Sequence, residues 1–217
     1  MQQEENKPRL LYFTDPMCPW SYGFAPEISK LYGEYQEYVD LRLVMGGLEV
    51  DNNLVLTEPV KHEMARQWIR VQDITGRRFN FNFFNNKENY LYNTEPACRA
   101  AVTVRYLHNE VAFDIFKAMQ ENFFVEGEDL TQEDSLVDVL LKFDVDEEDF
   151  LNMFHSENMH LETQDDFDLT SRIGVNVFPS VYLQADNSLT LITRGYKPYM
   201  DMMPRLEEAL YRVGVLS

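Results

Sequence analysis

Residues 10–35 constrain the fold more than any other stretch, because a strand signal, a break, a cysteine and a helix start follow one another closely. Leu10-Leu11-Tyr12-Phe13-Thr14 is a short apolar, aromatic run that predicts a buried strand. Asp15-Pro16 ends it, since the residue before a proline is pushed out of the helical region. Met17 and Cys18 follow, then Pro19, after which Ile28, Leu31 and Tyr35 fall at helical spacing. Proline suits the first position of a helix, where the amide it lacks would have no partner. Cys18 is thereby predicted at the N-cap, where unpaired amides and the helix dipole favour an anion. A cysteine in such a setting titrates between about 3.5 and 7.5 instead of near 8.5. Ser21 falls in the first turn, placed to donate a hydrogen bond to the thiolate, and Trp20 and Tyr22 are candidate walls of a shallow pocket. A lone cysteine is more often an inert core residue, but the coincidence of strand, Cys-Pro and helix argues for a reactive thiol.

The rest of the chain divides by pattern. Val39 to Met45 reads as a second strand ended by Gly46-Gly47, which makes a right-handed β-α-β unit with parallel strands. Helical patterns then follow without strands between them: Pro59–Val71, a helix opened by Thr94-Glu95-Pro96, Val111–Phe123, Ser135–Phe143 and Asp146–Phe154. A polar, aromatic loop, residues 75–86, interrupts them. Its Phe79, Phe81, Phe83 and Phe84, with Trp68, are expected mainly in the core, and the loop is a candidate lining for a groove. Leu161–Ile173 reads as a helix capped by Gly174. Val181–Leu183 and Leu189–Thr193 form a hairpin, and Tyr199–Val213 a final helix.

Composition excludes some classes. Among 217 residues, 45% are hydrophobic and 13% aromatic, which rules out a disordered chain. A formal net charge of −18 argues against nucleic acid and anionic membrane surfaces, both of which select clustered Lys and Arg. No basic start followed by an apolar stretch opens the chain, and no apolar run approaches a spanning length, so a cytoplasmic location is expected. With two cysteines, Cys18 and Cys98, a disulfide framework is not expected.

Asp15-Pro16-Met17-Cys18-Pro19-Trp20-Ser21-Tyr22-Gly23-Phe24 resembles the active-site region of DsbA-like proteins of the thioredoxin superfamily, in the FrnE-like and 2-hydroxychromene-2-carboxylate isomerase-like branch. Phe178-Pro179 resembles the cis-proline turn that faces the cysteine in that superfamily. Glu95-Pro96-Ala97-Cys98-Arg99-Ala100 is similar to a P-A-x-R-A stretch of its helical insert. The resemblance implies an α/β thioredoxin fold with a helical subdomain inserted after the first β-α-β unit: residues 8–50 and 161–217 thioredoxin-like, 51–160 the insert. It also implies catalytic Cys18 and Ser21, and substrate contact at Pro19, Trp20, Phe178 and Pro179. The chain departs from the usual C-x-x-C because Ser21 stands in the second cysteine's place. A single thiol forms mixed disulfides but cannot close its own. The expected activity is that of a cytoplasmic monothiol oxidoreductase working on protein or glutathione mixed disulfides. No tightly bound cofactor is implied, glutathione is the expected co-substrate, and a homodimer is left open. Two alternatives stand beside it: a kappa-type glutathione-dependent transferase or isomerase in which Ser21 orients the glutathione sulfur, and a non-catalytic DsbA-like adaptor. Ser21 reads equally well as an ordinary first-turn serine.

Other candidates are weaker. Cys98 lies on an apolar helix face and reads as a small core residue; as a resolving thiol its Cα would have to approach that of Cys18 to about 4.4–6.8 Å. No metal site is expected, since His62-Glu63 lacks a second histidine at helical spacing and His155 and His160 have no ligand company. Gly46-Gly47 is not a phosphate loop. The acidic run 144–149 lacks calcium-loop spacing and reads as a solvated helix start.

Overall fold

The computed structural model describes residues 7–50, 54–85, 87 and 90–216; Asn86, which closes the expected polar loop, the first six residues and residues 51–53 lie outside it. The predicted first strand forms as β1 (Arg9–Thr14) and the predicted helix as α1 (Pro19–Tyr35), with Cys18 as its N-cap and Pro19 at its start. The second strand is β2 (Asp40–Met45), parallel to β1 with Leu10 opposite Leu41 and Thr14 opposite Met45. The closing hairpin is β3 (Ser180–Ala185) and β4 (Ser188–Arg194). β3 runs antiparallel to β1, and the sheet order is β2-β1-β3-β4. β1 is therefore interior, and its alternate residues face two different clusters: Leu10 and Tyr12 enter the main core, Leu11 and Phe13 a smaller one with Val44 and Val175. Burial on both faces is why this strand reads as a continuous apolar run.

Between β2 and the last helices lie α2 (Glu58–Thr75), α3 (Glu95–Leu107), α4 (Ala112–Glu121), α5 (Glu133–Leu140) and α6 (Glu147–Phe154). α7 (Glu157–Ile173) returns to the sheet and α8 (Tyr199–Arg212) closes the chain. Their apolar faces join β1 and α1 in one continuous core that includes Trp68, Val104, Phe116 and Leu206. Gly174 ends α7 in the left-handed conformation, φ 77°, as its position predicts. α7 begins earlier than the apolar pattern suggested, because Ser156 caps it by accepting from the Met159 amide at 3.3 Å. Asp146 caps α6 in the same way, so the acidic run is a helix start.

The aromatic loop belongs to the core. Trp68 is fully buried, with ring centroids of Phe84 at 4.6 Å, Phe79 and Phe124 at 5.2 Å and Phe83 at 5.6 Å around it. α4 does not continue to Phe123; residues Asn122–Glu126 form a wider π turn instead. That turn lets the consecutive Phe123 and Phe124 both bury completely beside Trp68. Among the described residues no helix is long and apolar enough to cross a membrane.

Gly46, directly after β2, is a close-approach position. A Cβ there would lie 2.1 Å from the Phe178 ring. Gly46→Ala is therefore expected to cost about 2 kcal/mol through overpacking, lowering Tm by roughly 4–8 °C for a chain of this size. Gly33→Ala, inside α1 with nothing within 4 Å of the added methyl, is expected to raise Tm instead. Calorimetry on the two variants checks the contrast, and equal shifts would refute it.

Candidate functional site

The site starts from the turn that carries the chain from β1 into α1. The Cys18 amide donates to the Asp15 carbonyl at 3.1 Å, closing the turn, and the Tyr22 amide donates to the Cys18 carbonyl at 3.0 Å, opening the helix. The Asp15 side chain accepts from the Met17 amide at 2.8 Å. Asp15, Met17 and Cys18 are 0%, 0% and 3% exposed, so the thiol sits on a turn almost wholly out of water. The Phe178–Pro179 peptide is cis, the geometry the resemblance implied. Pairing of Phe13 with Ser180 brings this turn to the sheet end where β1 hands over to Cys18. The Gly46 amide donates to the Thr14 carbonyl at 2.7 Å at that same end. Pro19, Trp20 and Phe178 are half-buried, whereas Pro179 and Ser21 are buried. Trp20 has the Tyr196 ring 6.3 Å away and the Arg70 guanidinium 5.8 Å from its centroid, an arrangement suited to a binding wall. Tyr22 is not part of that wall. It is buried, stacks on Phe124 at 4.8 Å and donates to the Arg78 carbonyl at 3.0 Å.

The electrostatics differ from the sequence expectation. Burial pushes the Cys18 thiol up to about 11, outweighing hydrogen bonding from the Ser21 hydroxyl and amide and the Trp20 amide, while the charge of Asp15 pushes the same way as burial. The helix start lowers the pKa as predicted, but desolvation is larger. The Ser21 hydroxyl that acts on the sulfur is fully buried, and so is the Thr14 hydroxyl at the end of β1. The Tyr12 hydroxyl reaches toward the Ser21 carbonyl at 3.4 Å, and burial drives its pKa upward.

Three residues at the turn carry site contacts that local sequence does not signal. Tyr92 donates to the Met17 carbonyl at 2.6 Å, Thr94 donates to Asp15 Oδ2 at 2.7 Å, and Asp15, a strand breaker by sequence, accepts that bond. Nothing local in the sequence signals these contacts, since the partners are 75 and 79 residues apart. Cys98 is fully buried on α3, as its apolar face predicts, yet its Sγ also donates to Asp15 Oδ2 at 3.3 Å. Both cysteines are free thiols. Among the described residues no three His, Cys, Asp or Glu side chains are grouped to hold a metal. His155 and His160 instead face Glu133 at 2.6 Å and Glu95 at 3.8 Å.

Known proteins share this fold. The chain superposes on a protein from Nitrosomonas europaea described as a candidate protein disulfide isomerase with a TM-score of 0.90, at 31% identity, covering 96% of this chain and 100% of that one. It superposes on the cytosolic disulfide reductase DsbM of Pseudomonas aeruginosa with a TM-score of 0.77, at 21% identity, covering 94% and 99% of the two chains. In sequence it is similar to the ClpXP adapter protein SpxH of Bacillus subtilis, 24% identical over 176 residues, which are 81% of this chain but 58% of that protein's length. The profile of the family described as Thioredoxin matches residues 11–202, from within β1 into α8. With β-α-β unit, helical stretch, cis-proline hairpin and final helix all accounted for, the chain belongs to the thioredoxin family.

Proposed function

We propose that the protein is a thiol-disulfide oxidoreductase that works as a monothiol through Cys18. The observation that carries this reading is Cys18 at the N-cap of α1, with Ser21 where a second cysteine would stand and the Phe178–Pro179 turn at the same sheet end. The Cys18 thiol gives up its proton and the thiolate attacks one sulfur of a protein–glutathione disulfide. A Cys18 mixed disulfide forms, and the departing thiolate takes up a proton. A second thiol, glutathione, then attacks the mixed disulfide, regenerating the Cys18 thiol and leaving as a disulfide. In each passage one glutathione thiol and one protein–glutathione disulfide become one protein thiol and one glutathione disulfide.

Burial sets the direction. A strongly oxidising site has a stabilised thiolate that leaves readily. Here the thiol's pKa lies near 11, so the reduced form is not stabilised as an anion and the sulfur is a poor leaving group. We read the site as reductive, and the likeness to a disulfide reductase supports that reading. Trp20 and the Phe178 backbone provide the surfaces for an extended peptide or for glutathione.

An adaptor function is the second reading, favoured by the likeness to SpxH and by a thiol that is 3% exposed. It requires that delivery of a client to a ClpXP protease be unaffected by Cys18→Ala. Full burial of Ser21 argues against a kappa-type role in which that hydroxyl orients an incoming sulfur.

Cys18→Ala is expected to abolish reduction of a glutathione mixed disulfide followed with a coupled glutathione assay; unchanged turnover would reject the monothiol reading. Because only the thiolate reacts, alkylation of Cys18 is expected to quicken about tenfold per pH unit and to level off near pH 11. Ser21→Ala removes a donor that favours the anion, so its midpoint should lie higher still. Peptide mapping after iodoacetamide labelling measures the midpoint in the unaltered protein and in Ser21→Ala.

A further inference from the structure

Asp15 is a buried carboxylate with an unusual set of partners. Its Oδ1 accepts from the Met17 amide at 2.8 Å, and its Oδ2 accepts from the Leu48 amide at 2.8 Å, the Thr94 hydroxyl at 2.7 Å and the Cys98 thiol at 3.3 Å. These donors come from three places: the turn before Cys18, the segment just past β2, and the start of α3. None is a cation, although a buried carboxylate ordinarily has one. Asp15 is 0% exposed and forms no ion pair among the described residues. Its own backbone carbonyl holds the Cys18 amide.

We propose that Asp15 is a positioning residue for Cys18: its carboxylate ties the turn carrying the thiol to the helices that follow β2, and its uncompensated charge opposes a second anion at the sulfur. The tie follows from connectivity. With Tyr92 holding the Met17 carbonyl, the turn is gripped from the far side of β2 at both Asp15 and Met17. A shift of the start of α3 therefore reaches Cys18 through rigid, dry contacts. The electrostatic duty follows from the surroundings. The titratable groups that act on the sulfur are Asp15, Tyr12 on β1 and Tyr92 from beyond β2, with Cys98 acting on Asp15 and Glu49 on Tyr92; none of these bears a positive charge, and the Arg70 guanidinium lies against the Trp20 ring. In a dry site the field of one carboxylate is weakly screened. Full burial also raises the pKa of Asp15, only partly offset by its donors.

The inference rests on Cys18 being the reacting group, but its test does not need a turnover assay. Asp15→Asn keeps the size and the acceptor toward Met17 while removing the charge. In the otherwise unaltered protein, the midpoint for alkylation of Cys18, followed by peptide mapping, is expected to fall by about one pH unit, with a rate about tenfold higher below both midpoints. A folded Asp15→Asn protein whose midpoint is unchanged or higher overturns the electrostatic duty. Loss of a merely structural bond would lower Tm without moving the midpoint downward. Asp15→Asn also sets an amide against the Leu48 donor, so amide exchange on the unaltered protein tests the tie independently. The Met17 and Leu48 amides are expected to be protected at pH 7 and to lose protection together as acid neutralises Asp15. Either amide exchanging at its free rate at pH 7 overturns the tie. If reduction of mixed disulfides is absent while both results hold, the functional reading fails and the role of Asp15 stands.

Discussion

A turn buried away from water must find partners for its polar groups inside the protein, because a lost hydrogen bond there costs as much as the bond itself contributes. Residues Asp15 to Cys18 form such a turn. The Asp15 carboxylate holds the Met17 amide, the Asp15 carbonyl holds the Cys18 amide, and the Met17 carbonyl is held by Tyr92. Local sequence supplies the first two bonds and distant sequence the third. The position of the thiol is thus decided jointly by the strand that delivers it and by the segment leading into α3, encoded more than seventy residues later.

The chemistry of the sulfur follows from which of two opposing effects is larger. A helix start favours a negative charge by about 0.3–1 kcal/mol, up to ~2 in partly buried geometry. That amounts to roughly one pH unit. Full burial of an ionisable group moves its pKa by as much as about 3–5 units. With Cys18 nearly inaccessible and a carboxylate as its charged neighbour, burial prevails, and the thiol rests protonated at neutral pH. A C-x-x-S site of this kind suits slow, substrate-directed exchange better than rapid oxidation.

Much of the architecture was legible in the sequence because it depends on short-range rules. Asp15-Pro16 stops β1, Pro19 starts α1, Gly174 stops α7, and apolar periodicity marks the helices. Ser156 carried a readable cap signal that the apolar pattern overshadowed. The π turn after α4 was not legible, since it arises from packing two adjacent phenylalanines against Trp68. The place of Tyr22 is hidden for the same reason: an aromatic residue next to a reactive segment and one stacked on Phe124 look alike in sequence. The sequence places Cys18 at the start of α1, but not its electrostatics. Helix position is written locally, whereas burial and the Asp15 contacts are tertiary.

As a monothiol site, the protein would exchange with disulfides through Cys18 alone. Mass mapping after incubation with glutathione disulfide at mildly alkaline pH tests it most directly. One glutathionyl group is expected on Cys18 and none on Cys98, with its removal by added glutathione. An unmodified Cys18, or an internal disulfide between Cys18 and Cys98, would contradict it.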